Sequence, residues 1–284
     1  MNHFGIPTFN NTEVGDPSVS INTFAPTAYN MDQWVSTAVA MKAKYAVFVY
    51  KHHEGMIMAP SLVTARNIGA TTWYANNGSP NIAGQYITKM RAASITPYLY
   101  FSIWDKNFEL LNPGFTQVQY RSYLEAQITE FMTNYGPLPG IWLDGGYWHF
   151  LVAGNPGYPW PDLATRNAFL RAFNPSLMIV DNSHYTGVPA LTGDILTYEG
   201  GTVGQFPPTT NGNAAEFVET IRGDNKWFWG SSDGTPKTSA VVLTDISQAN
   251  ARSSAVLMNF PPDTTGTIPA AYVTIANQIG AGLP

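Results

Sequence analysis

The chain has 284 residues, a formal net charge of -5 at pH 7 and no cysteine. This acidic balance, without any basic run, argues against nucleic acid or an anionic membrane as a partner. The lack of cysteine excludes disulfides and thiolate metal ligands.

Aromatic residues are abundant, with 8 Trp, 15 Tyr and 15 Phe, while charged residues make up only 12% of the chain. That balance suits a sugar-binding cleft, and it equally suits a well-packed core. No run of 18 apolar residues and no basic-then-apolar leader occurs, so we expect neither a membrane span nor a signal peptide. The compartment stays open, although loops rich in Asn, Thr and Gly suit an extracellular or virion-associated protein.

Strand and helix patterns alternate along the chain. In order, the first half predicts a helix over 31–43, a strand over 45–50, a helix over 81–93, a strand over 95–101, a helix over 115–135 and a strand over 141–143. The second half predicts a helix over 162–173, strands over 176–181 and 195–198, a helix over 213–222, a strand over 226–229, a helix over 244–252, a strand over 255–260 and a helix over 270–279.

With a short strand before His3, this alternation gives about eight strands. It predicts an irregular (β/α)8 barrel of the TIM type, as a single domain over 1–284, in which one helix between the fifth and sixth strands is missing. The alternative fold is an open doubly wound sheet, but no Gly-rich phosphate loop follows the first strand to favour it.

Polar side chains stand where several predicted strands end, and a barrel gathers such ends at one mouth. These residues are His3, His52, His53, Glu54, Trp104, Asp105, Asp144 and Glu199. Two acidic groups with several histidines and tryptophans, and without any cofactor motif, suggest glycoside hydrolysis by a pair of carboxylates. Asp144 is the first candidate because it ends the buried run Ile141-Trp142-Leu143 at two glycines.

The sequence also resembles the catalytic domain of the α-L-fucosidases of glycoside hydrolase family 29. The matching segments follow the family's order and cover nearly the whole chain. They are His3-Phe4-Gly5, Lys51-His52-His53-Glu54-Gly55, Tyr100-Phe101-Ser102 with Trp104-Asp105, Trp142-Leu143-Asp144-Gly145, Gly193-Asp194 with Thr197-Tyr198-Glu199, and Leu257-Met258-Asn259. The family commonly adds a β-sandwich after the barrel, which we expect this chain to lack.

This resemblance implies a retaining mechanism, with Asp144 as nucleophile and Glu199 as acid/base. It implies that His3, His52 and His53 bind sugar hydroxyls. It also implies that further residues line the pocket, namely Glu13, Trp104 and Trp142. Cofactors and metals are not expected.

Alternatives remain at some of these positions. Glu54 is the second choice for the acid/base, and Glu13 competes for the same role. His184 stands where relatives carry an arginine, and we count it as a substrate-binding residue. A metal at His52 and His53 is disfavoured, because neighbouring residues at a strand end are expected to point to opposite sides.

We therefore predict a retaining exo-α-L-fucosidase that acts on fucosylated oligosaccharides or polysaccharides. One alternative is a carbohydrate-binding barrel of a virion or surface protein that has no turnover. Another is an endo-acting depolymerase of fucose-containing polysaccharide. The sequence leaves the linkage and the oligomeric state open.

Overall fold

The computed structural model describes residues 1–146, 158–182, 193–201, 203–232 and 234–284. In these ranges seven strands form one sheet, every neighbouring pair is parallel, and the strands lie side by side in chain order. They are β1 Tyr45–Lys51, β2 Thr96–Ser102, β3 Gly140–Asp144, β4 Met178–Asp181, β5 Ile195–Glu199, β6 Ala215–Thr220 and β7 Ser254–Asn259.

The first residues of the chain close this sheet. Asn2 pairs in parallel with Phe48 of β1. On the other side, the amino group of Met1 donates to the carbonyl of Met258 at 2.8 Å. The opening segment thus occupies the eighth strand position, between β1 and β7. This confirms the expected single-domain (β/α)8 barrel.

The barrel interior is a packed apolar core. It is filled by side chains from the opening segment and six of the seven strands, all of them buried: Met1, Val47, Val49, Tyr100, Trp142, Val180, Val218 and Leu257. Because these side chains fill the interior, we expect any chemistry to take place above the core, where the strands end.

Helices surround the barrel. In the described ranges they are α1 Ile6–Asn10, α2 Met31–Ala40, α3 Thr72–Asn76, α4 Ile82–Ala92, α5 Lys106–Leu111, α6 Gln117–Tyr135, α7 Leu163–Arg171, α8 Ser239–Asn250 and α9 Ala270–Gly282. The longest helix, α6, starts at a capping box in which Thr116 and Gln119 each satisfy the other's backbone N–H. Among these helices, none has both the length and the apolarity that a membrane crossing needs.

Two sequence predictions at and after the strand β6 are wrong. The segment 213–222 contains the strand β6 rather than a helix, and 226–229 holds no strand. All six residues of β6 are buried, so neither a period of two nor a period of 3.6 is visible, and its Ala and Glu residues misleadingly favour a helix. The helix predicted over 244–252 begins earlier, at Ser239, because Thr238 caps it.

Candidate active site

The ends of the parallel strands bring the predicted polar residues to one mouth of the barrel. Asp144 ends β3 and Glu199 ends β5, and both side chains are buried. His52 and His53 follow β1, and His3 lies in the opening segment next to it. The structure therefore brings both predicted carboxylates and three predicted histidines to the same end.

Asp144 is held by three donors. Its Oδ2 accepts from the hydroxyl of Tyr100 at 2.6 Å, and its Oδ1 accepts from the backbone N–H of Gly145 at 2.7 Å. The amide of Asn182 is a more distant donor to Oδ1, at 3.4 Å. Burial raises the pKa of Asp144 to about 6, although the three donors act in the opposite direction. The carboxylate is therefore ionised near neutral pH while little water surrounds it.

The glycine after Asp144 is required by the backbone. Gly145 has a φ of 74°, and a Cβ at this position would lie 2.8 Å from the Cβ of Trp104. Any larger residue would be strained here and would displace the neighbouring Trp104. The turn that presents the carboxylate is therefore specific to glycine.

Asn182 connects the two carboxylates. Its Nδ2 lies 2.9 Å from Oε2 of Glu199 and 3.4 Å from Oδ1 of Asp144. Because one nitrogen reaches both oxygens, their separation cannot exceed the sum of these two distances. The two carboxyl groups therefore face each other at close range, as a reaction that uses both of them requires.

His53 is held in one tautomer by Ser102. The hydroxyl of Ser102 donates its only proton to the carbonyl of Trp104 at 2.7 Å, so it cannot also donate to His53. The contact of 2.7 Å between the Ser102 oxygen and Nδ1 of His53 therefore needs a proton on Nδ1. Burial lowers the pKa of His53 to about 3, so the ring is neutral. Its Nε2, 3.8 Å from Oδ2 of Asp144, is left as an acceptor.

His3 is fixed in the same way by Asn259. The Asn259 amide donates its Nδ2 protons to the carbonyl of Trp227 at 2.7 Å and to Thr220, so its Oδ1 must accept. His3 donates to that oxygen from Nδ1 at 3.0 Å. Burial lowers the pKa of His3 to about 3, which leaves a neutral ring with Nε2 as an acceptor.

The expectation that His52 and His53 diverge is wrong. Their ring centroids lie 4.1 Å apart, so both side chains belong to the same cluster. The alternation of a strand does not apply, because the pairing of β1 shifts register between Val49 and Lys51 and both histidines lie beyond the strand end. Nδ1 of His52 is buried and has no hydrogen-bond partner among the described residues. Burial lowers the pKa of this ring well below its usual range.

A metal ion would find ligand atoms in this cluster. His52, His53 and Asp144 each offer one atom, and these atoms lie within 4.8 Å of one another. The sequence argument against a metal, which depended on diverging histidines, is therefore removed. The absence of a metal remains a prediction.

The predicted tryptophans lie at two depths. Trp104 follows β2 beside His53, with ring centroids 5.1 Å apart, and its N–H donates to Glu109 at 3.1 Å. Trp142 lies deeper, in the barrel interior, where it stacks on Tyr100 and donates to Glu216 at 2.7 Å. Trp104 thus stands beside the cluster, whereas Trp142 packs beneath Asp144.

The two further acidic candidates are occupied by protein groups. Both oxygens of Glu13 accept backbone N–H groups, from Trp227 at 2.7 Å and Phe228 at 3.3 Å. Burial raises the pKa of Glu13 to about 7. Glu54 is buried in an ion pair with Arg66 at 2.6 Å. The two hydrogen bonds of Glu13 hold the loop that carries Trp227, and the ring centroid of Trp227 lies 5.5 Å from that of His3.

His184, which the sequence analysis counted as a substrate-binding residue, lies outside the described residues. Five other residues of the candidate site were not predicted from the sequence. The missed residues are Tyr100, Ser102, Asn182, Trp227 and Asn259. A period of two would have found the first two, because Tyr100 pairs with Trp142 and Ser102 pairs with Asp144 across neighbouring strands. Asn182 directly follows β4, so its position at a strand end was a signal as well.

Comparison with known proteins agrees with this barrel. The model of the alpha-L-fucosidase family matches residues 2–283. Alpha-L-fucosidase 1 of Arabidopsis thaliana is 25% identical over 293 residues, which cover 94% of this chain and 54% of that protein. The chain spans about half the length of the curated relatives it matches.

Solved structures share the fold. A glycoside hydrolase 29 family member from an unknown rumen bacterium has a TM-score of 0.81 at 21% identity, covering 98% of this chain and 53% of that one. Alpha-L-fucosidase isoenzyme 1 from Paenibacillus thiaminolyticus has a TM-score of 0.74 at 24% identity, covering 92% and 64% respectively. At these identities the similarity establishes the barrel fold only. The chemistry has to be argued from the residues of this chain.

Proposed function

The chain belongs to the alpha-L-fucosidase family, and on that basis we propose that residues 1–284 form a catalytic barrel that removes α-L-fucose from glycans with retention of configuration. Asp144 acts as the nucleophile and Glu199 as the acid/base. One observation carries this proposal: the amide of Asn182 reaches a carboxylate oxygen of each residue, at 3.4 Å and 2.9 Å. This closeness supports the retaining geometry, in which the carboxyl groups stand about 5–5.5 Å apart.

The reaction proceeds in two displacements. A carboxylate oxygen of Asp144 attacks the anomeric carbon while Glu199 gives its proton to the departing glycosidic oxygen. Glu199, now ionised, takes a proton from water, and the resulting hydroxide oxygen displaces Asp144 from the sugar. The pKa of Asp144 at about 6 leaves this nucleophile ionised at neutral pH.

The histidines bind the sugar. His3 and His53 present Nε2 acceptors, because Asn259 and Ser102 occupy their Nδ1 protons. The buried Nδ1 of His52, for which the described part of the chain supplies no partner, gains one from a sugar hydroxyl. Neutral acceptors suit the neutral hydroxyls of a monosaccharide.

Aromatic rings support the apolar side of the sugar. Phe228 packs against His3 and His52 at centroid distances of 5.2 Å and 4.8 Å, and Trp104 stands beside His53. Fucose carries a methyl group at C6, which such rings can contact. The substrate is therefore a fucosylated oligosaccharide or polysaccharide, and no cofactor takes part because the carboxylates supply both nucleophile and proton.

The test is hydrolysis of 4-nitrophenyl α-L-fucoside, compared with the matching α-L-rhamnoside, β-D-galactoside and β-L-fucoside. We expect release of nitrophenol from the α-L-fucoside, with proton NMR showing α-L-fucose as the first product. Initial formation of β-L-fucose would contradict the retaining mechanism. Binding of fucose without turnover of any substrate would instead establish a sugar-binding barrel.

A further inference from the structure

Asn182 occupies a position between the two carboxylates that no other described side chain shares. It follows β4, and its backbone N–H donates to the carbonyl of Leu143 at 2.8 Å, which fixes it beside β3. The side chain is 3% exposed. Its Nδ2 lies 2.9 Å from Glu199 and 3.4 Å from Asp144. The backbone therefore places this amide within reach of both carboxylates.

The orientation of the amide follows from its neighbours. Asp144 is ionised at neutral pH and can only accept hydrogen bonds, so the NH2 group must face it, and the same nitrogen lies beside Glu199. That leaves Oδ1 towards Thr197, whose hydroxyl donates to it at 3.0 Å. Thr197 is fully buried on β5, two residues before Glu199. In this orientation the Thr197 hydroxyl satisfies Oδ1, whereas a flip would turn that oxygen against the Asp144 carboxylate.

This arrangement has a consequence for a double displacement, so it rests on the proposed function. When the glycosyl-enzyme forms, Asp144 becomes a neutral ester and Glu199 becomes an anion. A donor that serves only one carboxylate stabilises only one of these two states. An NH2 group has two protons and can stay hydrogen-bonded to whichever oxygen carries the charge.

We propose that Asn182 is a positioning residue that sets the spacing of Asp144 and Glu199 and follows the negative charge from one to the other, with Thr197 locking its amide. A purely structural polar residue would satisfy its donors on backbone or on a distant side chain. Here the acceptors of the NH2 group are the two carboxylates themselves.

The experiment measures 4-nitrophenyl α-L-fucoside hydrolysis by Asn182→Ala, Thr197→Val and Thr197→Ser. Asn277→Ala, on the exposed face of α9, is the control for a surface amide. We expect Asn182→Ala to lower kcat at least about 10-fold, with KM within about twofold, as for a lost hydrogen bond to a charged group. Thr197→Val should lower kcat as well, and Thr197→Ser, which keeps the hydroxyl, should restore it.

The pH profile separates positioning from a loss of folded protein. Loss of this donor should move the acidic limb of kcat/KM for Asn182→Ala to higher pH, whereas fewer folded molecules would scale the profile without moving it. The other titratable groups around Asp144 are Tyr100, His53, Glu199 and Asp181. All four are retained in the variant.

The outcomes are distinct. If the wild type hydrolyses the fucoside while Asn182→Ala keeps the wild-type kcat and pH profile, the role of Asn182 is overturned and the proposed function stands. If Thr197→Val and Thr197→Ser have the same kcat, the proposed role of the Thr197 hydroxyl in orienting the amide is overturned. If the wild type hydrolyses no fucoside, the proposed function fails, and this inference fails with it.

Discussion

The hydroxyl of Tyr100 donates to Oδ2 of Asp144 at 2.6 Å, from the neighbouring strand and one layer deeper in the barrel. A hydrogen bond to the ionised form lowers the pKa of a carboxyl. Its removal in Tyr100→Phe should therefore raise the pKa of Asp144 above its value of about 6.

The expected result is an acidic limb of kcat/KM that moves up by about one pH unit in Tyr100→Phe. Activity falls with decreasing pH because the protonated Asp144 cannot attack. Tyr98→Phe is the matched control, since this hydroxyl lies on the same strand and meets Met178 instead. Superimposable profiles for Tyr100→Phe and the wild type would argue against the role of this bond.

Removal of each proposed catalytic carboxylate should give a different product with azide. Asp144→Gly should lose at least about 10³-fold in kcat, and azide should recover activity by forming β-L-fucosyl azide directly. Glu199→Ala should form the glycosyl-enzyme from a substrate with a good leaving group, and azide should then give α-L-fucosyl azide. Mass spectrometry and NMR identify both products. Turnover at the wild-type level in either variant would refute the assignment.

The tautomer of His53 should depend on Ser102. In Ser102→Ala the Nδ1 proton loses its acceptor, so the ring can adopt the other tautomer and lose the Nε2 acceptor. We expect KM to rise about fivefold, as for one neutral hydrogen bond. Nitrogen-15 NMR of the imidazole should show an unprotonated Nε2 in the wild type and a mixture in the variant. A protonated Nε2 in the wild type would contradict the geometry.

A buried ion pair beneath the histidines should govern stability. Lys51 and Asp105 have fully buried side chains 3.0 Å apart, and Asp105 also caps α5. Lys51→Met leaves the Asp105 charge unpaired and should lower the free energy of unfolding by about 3–5 kcal/mol. Lys51→Met with Asp105→Asn keeps a capping oxygen and removes the charge, so much of the loss should return. Urea denaturation measures both variants, and equal losses would exclude the unpaired charge as the cause.

Metal removal tests the remaining alternative at the histidines. Because the proposed chemistry needs only carboxylates, dialysis against EDTA should leave kcat/KM unchanged. Added Zn²⁺ should inhibit competitively, since His52, His53 and Asp144 offer ligand atoms within 4.8 Å of one another. Loss of activity in EDTA that Zn²⁺ restores would show a metal-dependent reaction instead.

Much of the architecture could be predicted from the sequence, because it depends on local patterns. The buried run before Asp144 and the capped, amphipathic helix α6 are each visible within a few residues. The strand β6 is not, because burial on both faces removes the alternation that identifies a strand. Neighbouring strands, rather than its own residues, determine its state.

The residues of the candidate site that end strands could be predicted from the sequence. The side chains that orient them could not. Asp144, Glu199 and His52 follow apolar runs and could be identified individually. The role of Asn182 depends on three strands meeting, since its partners come from β3 and β5 while it follows β4. Contacts of this kind are set by the barrel's curvature, which no single segment of sequence records.

Closure of the barrel by its first residues has a consequence for synthesis and folding. His3 depends on Asn259, a partner 256 positions later in the chain. A ribosome must therefore extend the chain beyond residue 259 before this imidazole can acquire its orientation, and contacts of such high sequence separation form slowly. Binding competence should consequently appear late and all at once during refolding, together with the docking of β7.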